Sequence, residues 1–106
     1  TFVVEEPKGS VVEIIDIPIG AGNNVEGQIF YAPQDVSVMK ETVVLWNNND
    51  EVAHTVTSSL DFGDTFDSGL IDAGSTFQID TTGLETDTYE YFCIVHPWMI
   101  GSITVE

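Results

Sequence analysis

Three side chains spaced three residues apart, Cys93, His96 and Met99, constrain this chain more than any other feature in it. They lie in the run Tyr89-Glu90-Tyr91-Phe92-Cys93-Ile94-Val95-His96-Pro97-Trp98-Met99-Ile100-Gly101. Aromatic and β-branched residues on either side place Cys93 at the end of a strand, with His96 and Met99 on the tight loop leaving it. Cys93 is the only cysteine, so it cannot form an intramolecular disulfide and its thiol needs another reason to be there. A thiolate, an imidazole and a thioether gathered by one short loop suit copper better than any hard cation.

A fourth ligand must come from elsewhere, and the chain has only one other histidine, His54. It follows the polar turn Asn47-Asn48-Asn49-Asp50-Glu51 and opens a short apolar/polar alternation, which puts it at a strand edge. The candidate set is then His54, Cys93, His96 and Met99. Two histidines and a cysteine with a weak axial methionine form the donor set of blue-copper electron-transfer sites. Each member also has an ordinary role: a lone cysteine is often a small buried hydrophobe, and methionine is the usual gap-filler of cores. The other methionine, Met39, has no such spacing and reads as packing.

The remaining sequence reads as short strands between turns. Val11–Ile17 is a strand candidate ended by Pro18 and the turn Gly20-Ala21-Gly22-Asn23-Asn24. Further candidates are Gln28–Tyr31, Val36–Met39, Thr42–Trp46, His54–Ser58, Thr76–Asp80, Thr88–Cys93 and Ser102–Val105. Thr42–Trp46 is apolar on both faces, as a central strand should be, with Trp46 in the core. Alternation in Thr88–Cys93 puts Tyr89, Tyr91 and Cys93 on one face. Between Leu60 and Asp67, Asp, Gly and Phe imply a long surface loop anchored by Phe62 or Phe66. The pattern predicts an all-β Greek-key β-sandwich of seven to eight strands. It forms a single domain over residues 1–106, with 1–10 a loosely ordered N-terminal segment.

At 106 residues the chain can bury roughly 65% of the surface its unfolded form exposes, so a core is feasible without disulfides. No apolar run approaches the length of a membrane helix, and no signal peptide is visible. The chain opens at Thr1-Phe2-Val3-Val4, from which removal of an export signal or membrane anchor is expected. Eighteen acidic residues face two lysines and no arginine, for a net charge of −16. Such a surface disfavours nucleic acid and anionic lipid. It fits either a solvated face suited to salty surroundings or docking to a basic redox partner, and its self-repulsion favours a monomer.

Trp46-x-Asn48-x-Asp50 leading to His54-Thr55-Val56-Thr57, with Tyr89-x-Tyr91-x-Cys93-x-x-His96-Pro97-x-Met99-x-Gly101, resembles the cupredoxin family. The short C-x-x-H-x-x-M loop is most similar to amicyanins, and the acidity to archaeal halocyanin-like and plastocyanin-like members. The resemblance covers about Phe30 to Glu106 and implies a type 1 copper protein carrying one electron at a time, not an enzyme. It implies His54, Cys93 and His96 as equatorial ligands and Met99 as axial ligand. It also implies an exposed His96 edge, ringed by apolar residues and Trp98, as the electron port, redox proteins as partners, and an extracytoplasmic location.

Three departures from the family pattern carry expectations. Val95 replaces the proline usual before the second histidine, so its N–H is free to reach the thiolate and raise the potential. Thr55 stands where many relatives have Asn, and Ile94 lacks the hydroxyl that often follows the cysteine. Their cross-loop hydrogen bond is therefore expected to be missing, leaving a looser loop. If Met99 stays off the metal, an open axial position allows redox chemistry on a small molecule such as nitric oxide, with Asp50 or Glu51 as conceivable substitute ligands.

Overall fold

The computed structural model describes residues 11–106, so the expected N-terminal segment 1–10 lies outside the described residues. Among the described residues seven strands form two facing sheets: β1 (Val11–Ile17), β2 (Asp35–Val38), β3 (Thr42–Asn48), β4 (Thr57–Ser58), β5 (Thr76–Asp80), β6 (Asp87–Phe92) and β7 (Ile100–Val105). One sheet has the order β1-β3-β5 and the other β2-β7-β6-β4. Successive strands change sheet at every connection from β1 to β6, and only β6 and β7 form a hairpin within one sheet. This is the all-β sandwich that the turn spacing implies.

Alternation decides which side chains enter the space between the sheets. Ile15 and Ile17 of β1, Val44 and Trp46 of β3, Tyr91 of β6, and Ile103 and Val105 of β7 are all fully buried. Trp46 sits at the centre, edge-on to Tyr91 at 5.3 Å and tilted against Phe77 at 5.8 Å. Gly101 pairs with Tyr91 across β6 and β7, and a Cβ on it would come within 2.6 Å of the Tyr91 ring and 2.9 Å of the Gln34 carbonyl. Only glycine lets the tyrosine lie that close to the backbone.

Several expectations need correction. Gln28–Tyr31 is not a strand; the pairing there is a single bridge between Asp16 and Ala32. The expected His54–Ser58 strand keeps only Thr57–Ser58 as ladder, because upstream backbone groups bond elsewhere: His54 bridges Ile71, and Val56 N–H donates to Ser68 Oγ. Of the two candidate anchors, Phe66 is buried and Phe62 is 81% exposed. Met39 does not pack in the core; it is 68% exposed.

Candidate metal centre

The site forms at one end of the sandwich, where the β6–β7 hairpin loop meets the connection from β3 to β4. The spacing of three has a direct geometric meaning. His96 N–H donates to Cys93 O at 3.2 Å and Met99 N–H to His96 O at 2.9 Å, so each interval is one i to i+3 turn. Cys93 N–H closes the loop on Met99 O at 3.1 Å. Two successive turns thus return the chain from β6 to β7. Cys93 and Met99 end fully buried, and His96 stays partly exposed at the apex.

His54 reaches the same point from the β3–β4 connection. The segment before it is pinned by Asn48, a fully buried residue whose amide donates to Val52 O and Ile71 O, both at 2.9 Å. Its carbonyl oxygen accepts from Asp50 N–H at 3.0 Å, an Asx turn that reverses the chain. His54, fully buried, then presents Nδ1 3.8 Å from Cys93 Sγ, while His96 presents Nδ1 at 3.6 Å. The donor atoms of His54, Cys93 and His96 all lie within 4.8 Å of one another. Borderline nitrogen and soft sulfur converging this closely, with no hard oxygen in the cluster, fit copper by donor chemistry.

Burial by itself would push the Cys93 thiol up. The neighbouring His54 ring, the Thr55 N–H at 3.3 Å and the His96 ring and backbone outweigh it and hold the thiol down to about 6. The sulfur is thus disposed to the thiolate form that binds metal. For His54, burial lowers the pKa, but Cys93 and Asp50 raise it further and the net direction is upward. Asp50 is likewise pushed up by burial, yet His54 and the backbone N–H groups of Gly20, Glu51 and Gly22 bring it down to about 2.

Two of the family departures behave differently from expectation. Thr55 does tie the loops together: its Oγ1 accepts from the Ile94 backbone N–H at 2.9 Å, which needs no hydroxyl on residue 94. Thr57 Oγ1 lies 3.0 Å from both Thr55 Oγ1 and Asp67 Oδ1. A carboxylate only accepts, so the Thr57 proton goes to Asp67 and the Thr55 proton to Thr57. The ligand loop is therefore tied down. The backbone donors near the thiolate are Thr55 and His96, and Val95, half exposed, is not among them.

The Asp50 carboxylate lies outside the donor cluster. Its carboxylate sits at His54 Nε2, 2.7 Å away, on the ring edge opposite Nδ1, and Glu51 is exposed. Trp98 takes the expected place at the rim, edge-on to His96 at 5.3 Å, with Ile94 and Val95 about half exposed beside it. The sequence motif Trp46-x-Asn48-x-Asp50 contains both supports of His54 but does not show what they do: Asn48 pins the turn and Asp50 backs the ring.

No match is found among curated proteins. Among solved structures the chain is similar to the purple cupredoxin from Nitrosopumilus maritimus, at 29% identity over 88% of this chain and 98% of that one, with a TM-score of 0.79. It also resembles a methionine-to-glutamine mutant of amicyanin in the Cu(I) form, at 20% identity over 93% of this chain and 86% of that one, TM-score 0.68. An oxidised proline-to-alanine mutant of amicyanin aligns at 22% identity over 96% and 87%, TM-score 0.65. The amicyanin likenesses show the fold. The family model for copper binding proteins of the plastocyanin/azurin family matches residues 21–106, nearly the whole described chain. With that match and a two-histidine, one-cysteine cluster at the expected end of a cupredoxin sandwich, the chain belongs to the plastocyanin/azurin family of copper-binding proteins.

Proposed function

We propose that this protein is a type 1 mononuclear copper protein that carries single electrons, with His54, Cys93, His96 and Met99 as ligands and the His96 edge as the port. One observation carries the reading: three donors from two segments 39 residues apart in sequence converge within 4.8 Å, two fully buried and one reaching the surface. A copper ion bound there supplies the one-electron Cu(II)/Cu(I) couple. The chain's residues do the rest. Strand β6 and the tied loop fix Cys93, the Asn48 turn fixes His54, and Thr55 N–H hydrogen-bonds the sulfur, which favours the reduced state. Met99, buried and next in the turn sequence, is the residue available as a weak axial donor.

His96 with Trp98, Ile94 and Val95 makes a small, partly apolar contact area, suited to a brief redox encounter of under about 1,200 Å². The net charge of −16 favours a partner with a basic surface and disfavours self-association. At seawater-like ionic strength a Debye length of roughly 4 Å confines that attraction to the contact itself. The extracytoplasmic location implied by the sequence resemblance belongs to the same reading.

The testing experiment adds one equivalent of Cu(II) and records visible and EPR spectra. An intense thiolate-to-copper visible band with narrow copper hyperfine splitting is expected; absence of any thiolate band refutes the assignment. A second reading, an axial position open to a small molecule such as nitric oxide, is favoured by the name purple cupredoxin borne by the 29% identical structure, since colour reports the ligand field. The full burial of His54, Cys93 and Met99 weighs against it. Added azide or nitric oxide should leave the spectrum of the carrier unchanged and perturb that of an open site.

A further inference from the structure

Behind His54, on the side away from the other donors, lies a carboxylate with every acceptor position filled. Asp50 Oδ1 accepts from Gly20 N–H and Glu51 N–H, each at 2.8 Å. Oδ2 accepts from Gly22 N–H at 3.0 Å and meets His54 Nε2 at 2.7 Å. Four donors occupy the roughly four lone-pair sites of one carboxylate, and the side chain is only 6% exposed. Gly20 and Gly22 belong to the turn after β1, about thirty residues away in sequence, and Ala21 between them is fully buried.

The same turn fits against the pair without spare room. A Cβ on Gly22 would lie 3.0 Å from Val52 Cγ2, 3.4 Å from Asp50 Oδ2 and 3.5 Å from His54 Cε1. It also reaches the ligand loop, because Trp98 Nε1 points to Ala21 O at 3.5 Å. One turn of the chain therefore touches the supports of both histidines.

We propose that Asp50, clamped by the Gly20–Gly22 turn, is a positioning residue that fixes the tautomer and orientation of His54 and so sets the affinity and potential of the copper centre. The inference rests on the copper-carrier reading for its last step alone. In the neutral ring a saturated acceptor at Nε2 requires the proton there, which leaves the Nδ1 lone pair facing Cys93 and any bound metal. A full negative charge held against the ring also makes that lone pair more basic. It favours Cu(II) over Cu(I) and opposes the effect of the Thr55 N–H on the sulfur.

Asp50→Asn keeps the shape and reverses the logic. One flip of the amide sets its NH2 group against the Gly20 and Glu51 N–H groups; the other sets it against Gly22 N–H and His54 Nε2, where it favours the tautomer with the proton on Nδ1.

The test has a metal-free arm and a metal-loaded arm on the full chain. In the metal-free wild type, 15N-resolved NMR should show a hydrogen-bonded, slowly exchanging proton on His54 Nε2. Its absence overturns the proposal, whatever the chain does with copper. In the loaded arm, Asp50→Asn should lose Cu(II) affinity by about 10–100-fold, with a smaller loss for Cu(I), so the reduction potential rises. Unchanged affinity and potential in Asp50→Asn would overturn the positioning role even if the Nε2 proton is present. Gly22→Ala covers the case in which Asp50→Asn does not fold. It alters no charge, and it should speed exchange of the Nε2 proton and change the copper hyperfine splitting; no change in either counts against the clamp. A wild-type chain without a thiolate band would refute the carrier reading instead, and the NMR arm would still decide whether Asp50 fixes His54.

Discussion

His54 and His96 offer the same ring nitrogen to the same sulfur, at 3.8 Å and 3.6 Å, yet their surroundings are opposite. His54 is fully buried and backed by a carboxylate that is itself clamped by backbone N–H groups. His96 stands at the apex of a loop, partly exposed, with Trp98 edge-on and apolar Ile94 and Val95 beside it. One half of the centre is built to hold and the other to be reached. A carrier needs both, because a metal enclosed on all sides exchanges electrons slowly and one open on all sides is lost or poisoned by solvent ligands.

The largest expected effect tests the sulfur on which the two halves meet. Cys93→Ser should abolish the thiolate-to-copper visible band while far-UV circular dichroism still reports a β protein. Retention of the band would remove Cys93 from the site. Next come the histidines themselves, which should fail differently when removed. In His96→Gly the gap faces solvent, so added imidazole should restore the visible band. In His54→Gly the gap is sealed and faces the Asp50 carboxylate, so imidazole should restore little. Equal rescue at both positions would erase the distinction between a holding and a reachable half.

The difference between the halves also explains what the sequence could disclose. Cys93, His96 and Met99 were legible because each interval of three is one hydrogen-bonded turn, a local property. His54 was legible by elimination, since the chain offers no other partner histidine. From the sequence Asp50 is a conceivable substitute ligand, because the Gly20 and Gly22 N–H groups that fill its acceptor positions arrive by a tertiary contact that no local pattern records. Thr55 was misread for a different reason. The tie joins a side chain at Thr55 to a backbone N–H at Ile94, and side-chain types alone do not disclose a backbone donor. The run Gln28–Tyr31 has strand-like residues, but only Ala32 next to it finds a partner, at Asp16, so composition misled where pairing was unavailable.

Acid should discriminate the halves at the level of stability. The Asp50 carboxyl is held at about 2 against an ordinary 3.8, so its contribution is present above 3.8 and is lost as the pH falls through 2. For a residue this buried the loss is about 2 kcal/mol. Urea unfolding of the metal-free chain should show that loss in the wild type and not in Asp50→Asn; parallel acid profiles would mean the carboxylate is not held as described. On the loop side, Thr55→Val keeps the shape but removes the acceptor of the Ile94 N–H, at a cost of about 1 kcal/mol. Amide exchange at Ile94 should accelerate, and unaltered exchange would show that the tie does not restrain the loop.

The smallest effect concerns Met99, which belongs to both halves: it is fully buried, yet it ends the exposed loop. Met99→Leu conserves volume, so unfolding free energy should change by less than about 1.5 kcal/mol whether or not the sulfur serves the metal. Stability is therefore the wrong readout and the reduction potential is the right one. An axial thioether donates weakly to Cu(II), and its loss should raise the potential while the visible band persists, since that band belongs to Cys93. If the potential and the hyperfine splitting both stay fixed, Met99 is packing alone. The axial position would then be available to an outside ligand, and the azide and nitric oxide additions become the deciding measurement.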